Sequence, residues 1–327
     1  QTPTKVLDLA VVYLRIYFLG MTATMVYNFG SAILRAVGDT KRPLHYLLFA
    51  GIVNVVFNLI FVICFKMDVA GVAIATVISQ CISAGLVLRC LIHEEGELKL
   101  NLRKLKIHKE KFLKILQIGL PAGFQGILFS LSNVVVQSSI NLFGEIVIAG
   151  SSAASSLEGF VFMGMNAFHQ AAISFMGQNI GAGKYERINR ILYTAELCVF
   201  VVGLVFGNAV GLFGPKLLGV YSANSLVIEA GMERLRIICS TYALCGMMDV
   251  MVGALRGMGC SVMPMIVSLL GVCVLRMVWI FVFFQIEKYH TVGTIYYAYP
   301  ITWTITFLIH TTCYILVRRK MKKSWGV

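Results

Sequence analysis

Nine long apolar runs divide the sequence, and they constrain the fold more than any motif. They cover approximately residues 6–34, 44–64, 70–92, 112–143, 147–177, 187–213, 224–255, 264–285 and 292–317. A helix needs about 20 apolar residues to cross the hydrocarbon core. Lipid offers no partner to an exposed backbone N–H or C=O, so only helices or closed barrels span it. The runs lack the strict alternation of barrel strands. The predicted fold is an all-α, polytopic membrane protein with nine transmembrane helices. Only 13% of the residues are charged, against about 25% in a soluble domain. The 21 Phe and 13 Tyr carry far more apolar surface than a disordered chain. The first, fourth, fifth and seventh runs approach 30 residues, long enough to require tilting or projection beyond the bilayer.

The net charge of +13 follows the positive-inside pattern, with no nucleic acid implied. Lys41, Arg42, Arg89, Lys99, Arg103, Lys104, Lys106, Lys109, Lys184, Arg187, Arg256, Arg318 and Arg319 fall on one side of the runs. Lys5, Lys66, Lys216, Arg234 and Lys288 fall on the other. The basic side is predicted to be cytoplasmic, which puts residue 1 outside and the C-terminus inside a cell (plasma or inner) membrane. The nine cysteines contain no CxxC pair and lie almost wholly in apolar runs, so they read as packing residues.

The segment 93–111 is the one long polar stretch. It is read as a cytoplasmic linker, partly an amphipathic surface helix, between a three-span part (1–92) and a six-span part (112–327). An internal repeat crosses this division. Leu34-Arg35-Ala36-Val37-Gly38 with Pro43 recurs as Leu255-Arg256-Gly257-Met258-Gly259 with Pro264, an offset of 221. Leu14-Arg15-Ile16 recurs as Leu235-Arg236-Ile237 at the same offset. Spans one to three therefore repeat spans seven to nine, and spans four to six expect three partners upstream of residue 1. Repeated halves of this kind are a transporter architecture.

These residues carry a resemblance to the multidrug and toxic compound extrusion (MATE) family. It rests on Leu34-Arg35-x-x-Gly38-Asp39-Thr40-Lys41-x-Pro43, Gly71-Val72-Ala73-x-Ala75-Thr76, Gly119-Leu120-Pro121, Gly177-Gln178-Asn179-Ile180-Gly181-Ala182, and Leu255-Arg256-Gly257-x-Gly259 with Pro264. The resemblance covers the whole chain in family order. It implies helices 4 to 12 of a twelve-helix, two-lobed antiporter, with helices 1 to 3 absent. Such a protein exports drugs or toxic organic compounds, often cationic, in exchange for Na⁺ or H⁺. It needs no cofactor besides that ion, acts as a monomer among lipids and is not an enzyme. The alternative is a lipid or lipid-linked oligosaccharide flippase of the same superfamily, which would favour several basic residues in its cavity. Gln178–Lys184 fails as a phosphate loop, and no HExxH or HxxxxD motif supports a membrane enzyme.

Ionisable groups inside spans are costly and mark function. Glu158, Glu196 and Asp249 are the acids so placed, and Arg276 is a base in the eighth run. Asp249, supported by Glu158, is the expected carrier of the coupling ion, including a transient Na⁺. Arg276 tunes it, or neutralises Asp249 or Glu158 as a structural pair; Glu196 is the weaker candidate. The resemblance adds Asn28, Asn54, Asn58 and Thr76 as a polar site of the first part, completed in family members by an aspartate upstream. Many members carry Asp where this chain has Asn58. The repeat maps Asn28 onto Asp249. Gln125, Asn133 and Gln137 share a helical face in the fourth run. Asn166, His169 and Gln170 follow in the fifth, lining a wet cavity or bonding helix to helix.

The loop charges generate a topology prediction. In a cysteine-depleted background, Lys104→Cys should react with a thiol reagent only after cells are permeabilised. Labelling from outside intact cells would invert the assignment.

Overall fold

The computed structural model describes residues 4–325. The described residues form helices and turns with no strand. The chain divides into two compact units, residues 1–107 and 108–327, with the division inside the polar segment 93–111. Among the described residues, seven helices are long and apolar enough to cross a membrane, and up to nine spans result if each of two bent helix pairs counts as one.

In the first unit, α1 (Thr4–Leu19) and α2 (Met21–Ala36) form one of these bent pairs. They are followed by α3 (Lys41–Leu59), a π-helical extension over Ile60–Cys64, and α4 (Asp68–His93). The second unit contains α5 (Lys109–Ile140), α6 (Glu145–Gly181), α7 (Arg187–Gly219), α8 (Ser225–Ser240) and α9 (Tyr242–Gly257). It closes with α10 (Val262–Ser268), α11 (Leu275–Val278) and α12 (Val292–Trp325). Two π-helical segments, Leu269–Val274 and Trp279–Phe283, flank α11. The large core of this unit gathers Met165, Met176, Val199, Ile238, Val250, Leu255, Ile280 and Tyr296.

The repeat is visible in the backbone of each unit. The α1/α2 break lies at Gly20 with a 45° bend, and the α8/α9 break lies at Thr241 with a 48° bend. The two breaks are 221 residues apart. Gly38 and Gly259 both take a left-handed φ, +92° and +84°. Each closes the preceding helix in the same way. Gly38 N donates to Arg35 O and Asp39 N to Leu34 O; Gly259 N donates to Arg256 O and Cys260 N to Leu255 O. This is a Schellman ending, which favours glycine because it costs no Cβ strain. Below it in the first unit, Arg42 bonds both Asp39 and Glu94, so the turn is tied to the end of α4. The Arg42 hydrogen bond holds Glu94 below its usual carboxylate range.

Two expectations change. The first and seventh runs do not extend as straight, tilted helices; each bends into two, which fits a 30-residue stretch to a thinner hydrocarbon layer. The segment 93–111 forms no surface helix beyond the start of α5. It contains two single 3₁₀ turns, Gly96–Leu98 and Leu102–Lys104. Its apolar residues Leu98, Leu100, Leu102, Leu105 and Ile107 largely alternate, a period that leaves no apolar helical stripe. Gly119–Pro121 lies inside α5, and Gly177–Gly181 forms the last turn of α6. Proline inside a membrane helix is tolerated where neighbours satisfy the freed carbonyl.

The helices of the second unit approach through glycines. A Cβ at Gly207 would meet Cys239 O at 2.3 Å, and one at Gly150 would meet Val227 O at 2.6 Å. Small residues at such contacts are the usual means of close packing in lipid. Gly207→Ala and Gly150→Ala should each destabilise the purified protein by about 1–3 kcal/mol, the range for overpacking. Gly159→Ala, facing open space, should not. Thermal unfolding in detergent reads the difference, and equal melting of all three variants would contradict the packing described.

Candidate functional site

The second unit holds a cavity of about 440 Å³ lined by residues from α5, α6, α8, α9, α12 and the α10–α11 region. A smaller pocket of about 290 Å³ shares Asn133, Glu158, Phe162, Tyr242 and Tyr299 with it. Except for Glu196, the C-terminal site residues named from the sequence line one or both: Gln125, Asn133, Gln137, Glu158, Asn166, Asp249 and Arg276. His169 and Gln170 line the larger one. Helical periodicity explains the convergence. Gln125, Asn133 and Gln137 lie at four- and eight-residue intervals on α5, and Tyr242, Cys245, Asp249 and Arg256 share a face of α9.

The two acids have opposite surroundings. Glu158 is buried and held by Arg234 from α8 in a bidentate pair: Nε donates to Oε1 at 2.7 Å and Nη2 to Oε2 at 2.8 Å. Arg234 also donates to Ser151 Oγ at 2.9 Å. Its guanidinium carbon lies 5.6 Å and 5.8 Å from the ring centres of Tyr296 and Tyr299 on α12. Three helices thus meet at one fully engaged ion pair. Asp249 is half-buried, and among the described residues its carboxylate makes no ion pair and no hydrogen bond. Its backbone oxygen lies 2.6 Å from His169 Nδ1. That contact fixes α9 to α6 and accounts for His169 as a positioning group.

Arg276 does not pair with Asp249 or Glu158, contrary to the structural-pair expectation. Its Nη1 reaches Asn133 Oδ1 at 3.4 Å, its Nη2 reaches Thr302 Oγ1 at 3.5 Å, and its guanidinium stacks 4.2 Å from the centre of Tyr299. The π-helical segment Leu269–Val274 lies just before Arg276. Such a segment rotates the helix face that follows it, which no regular 3.6-residue projection anticipates. Arg234, counted above among the loop residues outside the membrane, is buried within α8. Its signal in the sequence was a basic residue inside an apolar run.

The first unit contains a separate neutral cluster. Asn54 Nδ2 donates to Thr76 Oγ1 at 3.5 Å and Ser79 Oγ at 3.3 Å, and Asn58 Nδ2 donates to Asn54 Oδ1 at 3.0 Å. Asn28 is exposed on α2 and joins none of these bonds. Ser79 was not singled out from the sequence. Glu196 lies in α7, with both carboxylate oxygens buried and unpartnered among the described residues. It lines neither cavity.

The Glu158–Arg234 pair generates a stability prediction. Removing one partner strands a buried charge, at a cost of about 3–5 kcal/mol. Arg234→Met should therefore lower the melting temperature sharply, and the double variant Glu158→Leu with Arg234→Met should recover most of the loss. Equal stability of Arg234→Met and unmodified protein would show that the pair is not formed.

Residues 121–282 match the family described as MatE. Residues 3–144 match the family described as Lipid II flippase MurJ. The chain is 30% identical over 276 residues to the probable multidrug resistance protein YpnP of Bacillus subtilis, covering 84% of this chain and 62% of that protein. It is 24% identical over 288 residues to the probable multidrug resistance protein NorM of Thermotoga maritima, covering 86% of this chain and 61% of that one. The chain thus spans less than two thirds of either relative. A crystal structure of a MATE protein in a bent conformation superposes with a TM-score of 0.88 at 19% identity, over 100% of this chain and 72% of that one. The Vibrio cholerae MATE transporter VcmN in its bent form gives 0.85 at 17% identity, over 98% and 72%. In its matched segment, its relatives and its fold, this multi-pass membrane chain is similar to the MATE family.

Proposed function

We propose that the chain forms part of a secondary transporter that exports small organic molecules in exchange for Na⁺ or H⁺. On this reading the cavity of the second unit is the substrate path. Asp249 is the carboxylate that carries the coupling ion, and its lack of any fixed cation is the observation that supports this role. A carboxylate free to bind Na⁺ or H⁺ from one side and release it on the other can bias two conformations of a lobe. Glu158 cannot serve in the same way, because Arg234 occupies both of its oxygens. It is a positioning residue that keeps α8 and α9 in place. The multidrug resistance proteins among the relatives support export as the activity. The basic loops favour a cytoplasmic side that includes residues 93–111 and the C-terminus.

A second reading, a lipid-linked flippase, is favoured by the match of residues 3–144 to the MurJ family. The two separate by cargo. Proteoliposomes should expel a soluble fluorescent amphiphile under an imposed Na⁺ or H⁺ gradient if export is the activity. Transfer of a labelled lipid between leaflets, with no soluble cargo moved, would favour the flippase.

Asp249→Asn in the full-length protein should slow gradient-driven export at least about tenfold, equivalent to about 1.4 kcal/mol in the barrier. Equilibrium substrate binding should persist. Full coupled export by well-folded Asp249→Asn protein would exclude Asp249 as the carrier.

A further inference from the structure

The charges lining the cavity narrow the class of substrate. Resting on the reading of this cavity as the substrate path, we infer that it binds organic anions, with a carboxylate or phosphate held by Arg256 and Arg276 and an apolar body beside it. Glu158 and Arg234 engage each other fully, so they leave no net charge for a ligand. Asp249, Arg256 and Arg276 remain along the wall, two guanidiniums against one carboxylate.

Arg276 is only 3% exposed. Its terminal nitrogens reach two neutral oxygens at long range, 3.4 and 3.5 Å, and its Nε has no partner among the described residues. Tyr299 covers one face of the guanidinium, but a ring face cannot accept the five in-plane N–H donors. Arg256 Nη2 donates to Gln125 Oε1 at 2.8 Å, and its Nε is likewise unpartnered. Neither arginine has a carboxylate within 4.0 Å among the described residues. Buried cations are normally paired. Here a buried one, Arg276, and a half-buried one, Arg256, border the same space with no ion pair among the described residues.

A guanidinium stacked on an aromatic face presents its donors edge-on, the geometry that suits a bidentate carboxylate or phosphate. Phe129, Phe162, Tyr242, Met248 and Trp303 line the same cavity and give the remainder of such a molecule an apolar, adaptable surface. The volume of about 440 Å³ falls within the range of small-molecule sites. A cationic substrate would instead meet two guanidiniums against the single carboxylate of Asp249.

Fluorescein and rhodamine 6G test the inference, since they share a xanthene ring and carry opposite charge. Their affinities are measured by fluorescence anisotropy on the full-length protein in phosphatidylcholine nanodiscs. Fluorescein should bind at least about tenfold more tightly than rhodamine, and Arg256→Gln and Arg276→Gln should each weaken it about tenfold, or about 1.4 kcal/mol. Neither change should weaken rhodamine. Arg276→Lys keeps the charge but loses the fork, and should give an intermediate loss even if Arg276→Gln folds poorly. Tighter binding of rhodamine, or unchanged fluorescein affinity in the arginine variants, would overturn the inference. Ala122→Trp, which fills the cavity, separates the two levels of argument. If it removes both dyes while rhodamine is preferred, only the anion inference fails. If both dyes still bind, or neither dye binds the unmodified folded protein, the cavity is not the substrate path. Adding phosphatidic acid to the nanodiscs distinguishes the source of the anion: displacement of fluorescein assigns the arginines to a lipid phosphate, and unchanged affinity assigns them to free organic anions.

Discussion

Arg234 and Glu158 meet, both buried, where three helices of the second unit converge. The pair has both carboxylate oxygens and both guanidinium edges engaged, with Ser151 and the rings of Tyr296 and Tyr299 completing its shell. A buried ion pair rarely adds much stability over a well-packed apolar alternative, but a broken one is costly. Its effect is therefore on geometry: α8 can dock on α6 and α12 only in the register that closes the pair. Because α8 continues through the bend at Thr241 into α9, this register also places Asp249.

The consequence is a division of labour between two acids in one cavity. Glu158 has its charge permanently answered. Asp249 does not, although His169 grips the backbone of the same residue. The helix is thus fixed at the position where the side chain is left free. Arg276 and Arg256 extend this pattern, being anchored by neutral groups and a tyrosine face rather than by carboxylates. The polar cluster of Asn54, Asn58, Thr76 and Ser79 in the first unit contains no charge at all.

Much of this was legible in the sequence because hydropathy and repetition are both one-dimensional signals. The nine apolar runs match the membrane-length helices and bent pairs, and the offset of 221 reappears in the breaks at Gly20 and Thr241 and in the turns at Gly38 and Gly259. The α5 face of Gln125, Asn133 and Gln137 follows from helical spacing alone. Other features depend on backbone departures that spacing does not encode. Bends divide two runs that read as single spans, and a π-helical segment precedes Arg276, a side chain expected to meet an acid. Arg234 lies inside a run but close to Glu233 and Arg236, and such a cluster of charge looks like a loop. Its partner is 76 residues away in sequence, beyond the reach of any local pattern.

The central claim is that Asp249, and not Glu158 or Glu196, is the carboxyl group that exchanges its ion. Infrared difference spectroscopy of the carboxyl region, recorded as Na⁺ or H⁺ is added to the membrane-embedded protein, observes that group directly. The account predicts an ion-dependent carboxyl band that disappears in Asp249→Asn and survives in both Glu196→Gln and the Glu158→Leu, Arg234→Met double variant. A band that persists in Asp249→Asn and is lost when either glutamate is replaced would contradict it.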